Sequence, residues 1–260
     1  MHGIFKKAQI TAAKQRSSII YQGPSLIDGS PIVVIAIISS KNKKTGSMLQ
    51  TYIMRADMDP RLASKTGADF AICGACPHRG IATQNPLKKQ AEDRSCYVLL
   101  GQGPLIAYQA MLRGLYPVIA GHAAIAALGS GRKVRIGTYG DPAAVPSYIW
   151  ESLLFNADMH TAYSHQSAQH GAAFDPKLMM QSADSEAEAR TAWDQGIRTF
   201  RVVSSVADIV KGKEILCPAS KEAGKRSTCA DCGLCAGSTV KAKSIAIPAH
   251  GAGSIHMRAA

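Results

Sequence analysis

Seven cysteines fall into two groups and nowhere else in the chain. Cys217, Cys229, Cys232 and Cys235 form a C-x11-C-x2-C-x2-C run, and Cys73 and Cys76 form a C-x2-C pair with Cys96 after nineteen intervening residues. Two thiolates three residues apart reach one ion or cluster from a single turn. In a reducing compartment such spacing therefore reads as a metal or redox site before it reads as a disulfide.

The C-terminal set lies among Pro218, Gly224, Gly233 and Gly237 with little apolar content, so it is expected to contribute little core. Four thiolates so placed satisfy tetrahedral zinc or supply all four corners of a cubane. The two consecutive x2 gaps resemble ferredoxin-type 4Fe-4S loops more than the paired knuckles of zinc ribbons. The N-terminal set, Cys73, Cys76 and Cys96, has three cysteines, a number that leaves one iron of a cubane open to substrate, cofactor or a further ligand such as His78. Two alternatives stay open: Cys96 as a buried residue of a strand running to Leu100, and one site drawing on both groups.

These residues need a scaffold. Residues 32–38 and 49–54 read as a β-hairpin around the basic turn 39–46. From about residue 70 a βα rhythm follows, with six strand candidates at 133–140, 160–166, 178–182, 199–203, 214–216 and 244–247. Pro146 opens one intervening helix, and a capping box at Ser185 and Glu188 opens another. Cys73, Asp141, His165, Asp184, Cys217 and His250 all sit where a strand is expected to end. That edge carries the ligand site in parallel α/β barrels and doubly wound sheets. The expectation is an α/β fold: a complete or partial TIM-like (βα) barrel over residues 65–260, preceded by an N-terminal β-hairpin extension in residues 1–64, with Asp141, His165 and Asp184 as candidate catalytic residues.

The Cys73-x2-Cys76 loop, the Cys96-Tyr97 pair, Gly140-Asp141-Pro142, the strand ends at His165 and Asp184, and the closing Cys217 to Cys235 run resemble phage-encoded radical-SAM-like barrel proteins of unassigned activity. The resemblance covers about residues 65–252. It implies that Cys73, Cys76 and Cys96 hold a catalytic 4Fe-4S cluster, and that Gly140 and Asp141 stand where the family binds the amino group of S-adenosylmethionine. The family's usual cluster motif is C-x3-C-x2-C with Glu at the acidic position. Here the third cysteine is remote and the acid is Asp.

Other features carry less chemistry. His78, His165, His170 and His250 lie in polar turns, and the two strand-end histidines, His165 and His250, are the better candidates for proton transfer or ligation. Arg135 and Arg201 lie inside strands, where an arginine must be paired or face a polar cavity; either could clamp a carboxylate or phosphate ligand, or pair with Asp141 or Asp184. Gly101-Gln102-Gly103-Pro104 opens a helix that can cradle an anion.

The 260 residues carry 30 Lys+Arg against 18 Asp+Glu, a formal charge of +12, with 46% apolar and 18% charged residues, which fits a globular protein and excludes disorder and coiled coil. The charge is spread over several clusters, so nucleic acid is a partner expected from charge alone. The longest apolar runs, 31–38 and 118–128, fall short of the roughly 20 residues of a membrane span. No secretory h-region opens the sequence, so the expected location is the cytoplasm, that of the host if the chain is phage-encoded. Two function classes follow: an iron-sulfur protein resembling radical SAM enzymes, with a small-molecule ligand or electron-transfer partner, and a zinc-stabilised, basic nucleic-acid-binding protein.

Overall fold

The computed structural model describes residues 16–38, 42–166, 173–224 and 227–256. Turn residues 39–41, His170, Lys225 and Arg226 lie outside them. In chain order the elements are β1 (Ser18–Pro24), β2 (Pro31–Ile37), β3 (Leu49–Arg55), α1 (Pro60–Thr66), α2 (Phe70–Cys73), α3 (Gly103–Leu112), α4 (His122–Gly129), β4 (Lys133–Tyr139), α5 (Ser147–Leu154), β5 (Met159–Thr161), β6 (Tyr163–Ser164), β7 (Met180–Ala183), α6 (Glu186–Asp194), β8 (Thr199–Val203), β9 (Glu214–Leu216), α7 (Cys229–Cys232) and β10 (Ser244–Pro248). Short 3-10 turns, such as Pro142–Ala144, connect several of them.

The fold is mixed α/β, built on two parallel-rich sheets. The first has the order β1-β2-β3-β4-β5, antiparallel from β1 to β3 and parallel from β3 to β5. Residues 18–55 and the βα units that follow thus share a sheet. The second, β6-β7-β8-β10-β9, is parallel throughout. Among the described residues neither sheet closes on itself. The chain passes from one sheet to the other across buried Ala162, whose N–H donates to the Cys235 carbonyl at 3.0 Å and whose carbonyl accepts from Met180 N at 3.0 Å.

The expected hairpin is present as β2 and β3, and all six later strand candidates form strands. β2 is apolar on both faces because it is central, and Ile32, Val33, Val34 and Ile35 are fully buried. The main core joins this strand to Ile53, Ile136, Trp150 and Leu153. A smaller core lies under the second sheet and contains Met180, Ile245 and Ile247. Cys217 and Cys235 belong to it, so the cysteine-rich segment does supply core, contrary to the expectation from its composition.

Two other expectations are corrected. Cys73 ends the one-turn helix α2 and not a strand, because Asp69 and Phe70 turn the chain before it can extend. Cys96 lies in no strand: the chain from 96 to 100 is irregular, held by the Arg94 guanidinium, which donates to the carbonyls of Cys96 and Val98. No helix among the described residues is long and apolar enough to cross a membrane.

Candidate metal centres

The first centre is built by a turn that folds back on itself. Cys76 N donates to Cys73 O at 3.2 Å, and Pro77 starts the 3-10 turn Pro77–Arg79. Arg79 ties this turn to the protein through Asp69 Oδ1 at 2.6 Å and the carbonyls of Gly67 and Gly74. Gly80 then reverses the chain with φ +82°, and Ile81 and Glu92 pair reciprocally through their backbones at 2.8 and 2.9 Å. That pairing closes most of the nineteen-residue gap. Cys96 N donates to His78 O at 3.0 Å, which returns the third cysteine to the other two.

The three thiols interact electrostatically. Burial pushes Cys73 well above its ordinary pKa, and Asp69, Cys76 and Cys96 add to the effect. Burial also raises Cys96, with Cys76 adding and the Arg94 guanidinium opposing.

Beside these sulfurs stand His78, His165 and Asp184. His78 Nε2 lies 2.9 Å from Asp184 Oδ1, and His165 Nε2 lies 3.3 Å from the same oxygen. His165 also hydrogen-bonds the side chain of Cys76. Burial alone would depress the His165 pKa, but Cys76 and Asp184 outweigh it and lift the imidazole well above its usual value. Burial likewise opposes ionisation of Asp184, and the two histidines overcome it, holding its carboxyl far below the usual range.

Asp141, at the end of β4, sits behind this group. Its Oδ1 accepts from Ala143 N at 3.0 Å and Ser164 Oγ at 2.7 Å, and its Oδ2 accepts from His165 N at 2.8 Å. Burial raises its pKa against those hydrogen bonds. The carboxylate is thus occupied in fixing the loop that presents His165, and the preceding Gly140 packs its Cα against Ile53 at φ +80°.

The second centre gathers Cys217, Cys229, Cys232 and Cys235. Cys217 follows β9, with its N–H on Ala246 O at 2.8 Å, while Cys229 and Cys232 occupy α7. The β2–β3 turn caps this helix: Cys229 N donates to Lys44 O at 3.1 Å and Ala230 N to Thr45 O at 2.9 Å. Burial pushes Cys235 up to about 12, with the other three cysteines adding and a hydrogen bond with Tyr163 opposing. Burial raises Cys217 too, whereas its backbone hydrogen bond and Lys44 pull it down.

Two cations face these sulfurs. Lys44 Nζ lies 2.7 Å from His250 Nε2 and interacts with Cys217 and Cys229. Arg135, on β4, is buried. Its Nη2 donates to Tyr97 Oη at 2.8 Å, and its guanidinium carbon sits 5.3 Å from the centre of the Tyr163 ring. Cys229 is among its electrostatic partners, and among the described residues it has no carboxylate partner. Arg201 is different: it pairs with buried Glu214 at 2.6 Å, not with Asp141 or Asp184, because the register of β8, β10 and β9 brings Glu214 to it.

Tyr97 follows Cys96 and holds Arg135, so it stands between the two centres. Sequence reasoning picked out all seven cysteines, the strand-end residues and the Cys96-Tyr97 pair, but assigned no site role to Lys44 or Tyr163. Lys44 lay in what reads as a solvated basic turn, and nothing in its neighbours signals otherwise. Searches of family models, of curated proteins and of solved structures find no match for this chain.

Proposed function

We propose that this chain is an iron-sulfur protein: Cys217, Cys229, Cys232 and Cys235 hold one 4Fe-4S cluster, and Cys73, Cys76 and Cys96 hold a second with an open iron. In this reading the two open sheets, joined at Ala162, form the wall of a partial barrel like that of radical SAM enzymes. The observation that carries it is Arg135. A buried guanidinium without a carboxylate is costly unless an anion faces it, and a centre of four thiolates is such an anion. Lys44 adds a second cation at the same place.

Iron-sulfur is preferred to zinc on the sequence pattern: the two consecutive x2 gaps of Cys229, Cys232 and Cys235 resemble ferredoxin-type 4Fe-4S loops more than the paired knuckles of zinc ribbons. When bound, the clusters supply electron transfer, and the open iron gives a small molecule or an electron donor a place to meet the first centre.

S-adenosylmethionine fits less well. The role that the family resemblance implies for Asp141 requires a carboxylate facing a ligand, and this one is held by Ala143, Ser164 and His165.

The test is to purify the protein without oxygen, record its visible spectrum, and count iron, acid-labile sulfide and zinc per chain. Brown protein with iron and sulfide in matching amounts is the expected result, and Cys96→Ser lowers both. Colourless protein carrying zinc ends the proposal. Steep loss of polynucleotide affinity with salt in such a protein would return the basic nucleic-acid reading.

A further inference from the structure

We infer that His78, His165 and Asp184 form a mononuclear site for a divalent transition metal, adjacent to the first cysteine centre, whose Cys76 side chain His165 also hydrogen-bonds, and made of ligands outside either cysteine set. The inference does not depend on either cysteine centre being loaded. The three residues come from separate parts of the chain: the 3-10 turn Pro77–Arg79, the loop after β6 and the end of β7. Their ligand atoms nevertheless all lie within 4.8 Å of one another.

The spacing suits a metal. Bonds of about 2.1 Å to imidazole and carboxylate place neighbouring ligand atoms about 3.0–3.4 Å apart. The two imidazole-to-carboxylate separations are 2.9 and 3.3 Å. Both Nε2 atoms converge on the single oxygen Oδ1. Without a metal, both rings must direct an N–H at that atom; a divalent ion there would instead take the lone pair of each nitrogen in place of those two protons.

Support behind the ligands points the same way. The remaining nitrogen of His78, Nδ1, lies 2.8 Å from Ser95 Oγ, a hydroxyl that can accept from or donate to the ring and so holds its orientation in either tautomer. His165 is held through its own N–H by Asp141, and Asp184 N donates to Glu188 Oε2 at 2.8 Å. The ligands are partly buried, with side-chain exposures of 17, 21 and 28% for His78, His165 and Asp184. A cleft of about 580 Å³ opens beside them, lined by His78, Ser95, Asp184, Arg201 and Asp208 among others. Three protein ligands on one side and a cleft on the other leave coordination positions for water or an oxygen-bearing ligand.

The donor set selects the ion class. Two imidazoles and one carboxylate suit Mn, Fe, Co or Zn in the divalent state and disfavour Mg and Ca, which take oxygen ligands.

Manganese is the practical probe. The protein is purified without oxygen, dialysed against a chelator under conditions that leave its sulfide content unchanged, and titrated with Mn²⁺ while the spin-resonance signal of the free ion is followed. One tight site per chain is expected, weakened by more than about tenfold in Asp184→Asn and in His78→Gln. In both variants iron, sulfide and melting temperature should match the parent. Cys232→Ser should lower iron and sulfide while Mn²⁺ binding stays. Equal Mn²⁺ affinity in parent and Asp184→Asn overturns the inference, as does loss of sulfide together with Mn²⁺ binding in the folded variants, which would make these residues cluster ligands. If no iron or sulfide is found and the Mn²⁺ site is intact, the cluster reading falls and this one stands.

Discussion

Asp141 holds His165 by its backbone: Oδ2 accepts the His165 N–H at 2.8 Å while Oδ1 accepts from Ser164 and Ala143. One buried carboxylate thereby sets the conformation of the loop that carries a candidate ligand. Asp141→Ala leaves these three donors without their acceptor, and stability should fall by about 3 kcal/mol. A denaturant titration with an unchanged slope and a lowered midpoint checks this. A midpoint equal to that of the parent would remove the positioning role.

Gly80 makes the first centre's reversal possible. Its φ is +82°, and a Cβ there would collide with the carbonyl oxygen of Glu92, which is backbone and cannot yield cheaply. Gly80→Ala should cost at least about 1–3 kcal/mol from strain alone. Cys96 should then no longer return to Cys73 and Cys76, so iron content should drop toward that of Cys96→Ser. Melting temperature and iron analysis report the two effects separately.

Arg135 should tune the C-terminal centre. A unit charge at close range in an effective dielectric of about 20 is worth about 2–4 kcal/mol, on the order of 100 mV for a one-electron couple. Removing a cation disfavours the more negative, reduced state, so Arg135→Met should lower the midpoint potential of one cluster. Tyr97→Phe, which removes only the hydrogen bond to Arg135, should move it less. Redox titration distinguishes these outcomes from no change, which would place Arg135 outside the cluster's field.

His160 supplies a pH dependence away from the centres. Burial lowers its pKa, against a hydrogen bond to the Leu178 carbonyl at 2.7 Å. The folded state therefore prefers the neutral ring. Above the unfolded value of about 6.5 its contribution is complete; as pH falls, the unfolded chain takes up a proton that the folded chain resists, and stability declines until the folded pKa is passed. His160→Gln should flatten this part of the stability curve below about pH 6.5, as measured by denaturation at a series of pH values.

The pair Arg201 and Glu214 joins β8 to β9 across β10. Glu214→Gln leaves a buried guanidinium without its counter-charge and should cost about 3–5 kcal/mol. If the double variant Arg201→Met, Glu214→Leu recovers most of the loss in a melting experiment, the damage comes from the stranded charge and not from missing volume.

Much of the scaffold was legible because a short apolar run closed by polar residues is what a buried parallel strand requires, and all six such runs after residue 130 are strands. β1 was not legible, since Tyr21-Gln22-Gly23-Pro24 alternates too little to declare itself and its place at the sheet's edge demands little of it. The cysteines announced themselves by spacing. What brings Cys96 back is the backbone pairing of Ile81 with Glu92, which leaves no mark on residue type. His78 and Asp184 stand 106 positions apart, and only the packing of a turn against the end of β7 makes them neighbours. Arg201 could be read as needing a partner, but which acid it meets depends on strand register.

The turn between β2 and β3 offers its carbonyls at positions 44 and 45 to amides at 229 and 230. At translation rates of about 5–20 residues per second, roughly 10–40 s separate the synthesis of the two. The early turn must therefore wait, its acceptors wetted by solvent, until the late helix arrives to fill them. If the late cysteines take up a cluster as proposed, they do so in a chain whose first strands have already emerged, so that uptake would come last in the assembly sequence.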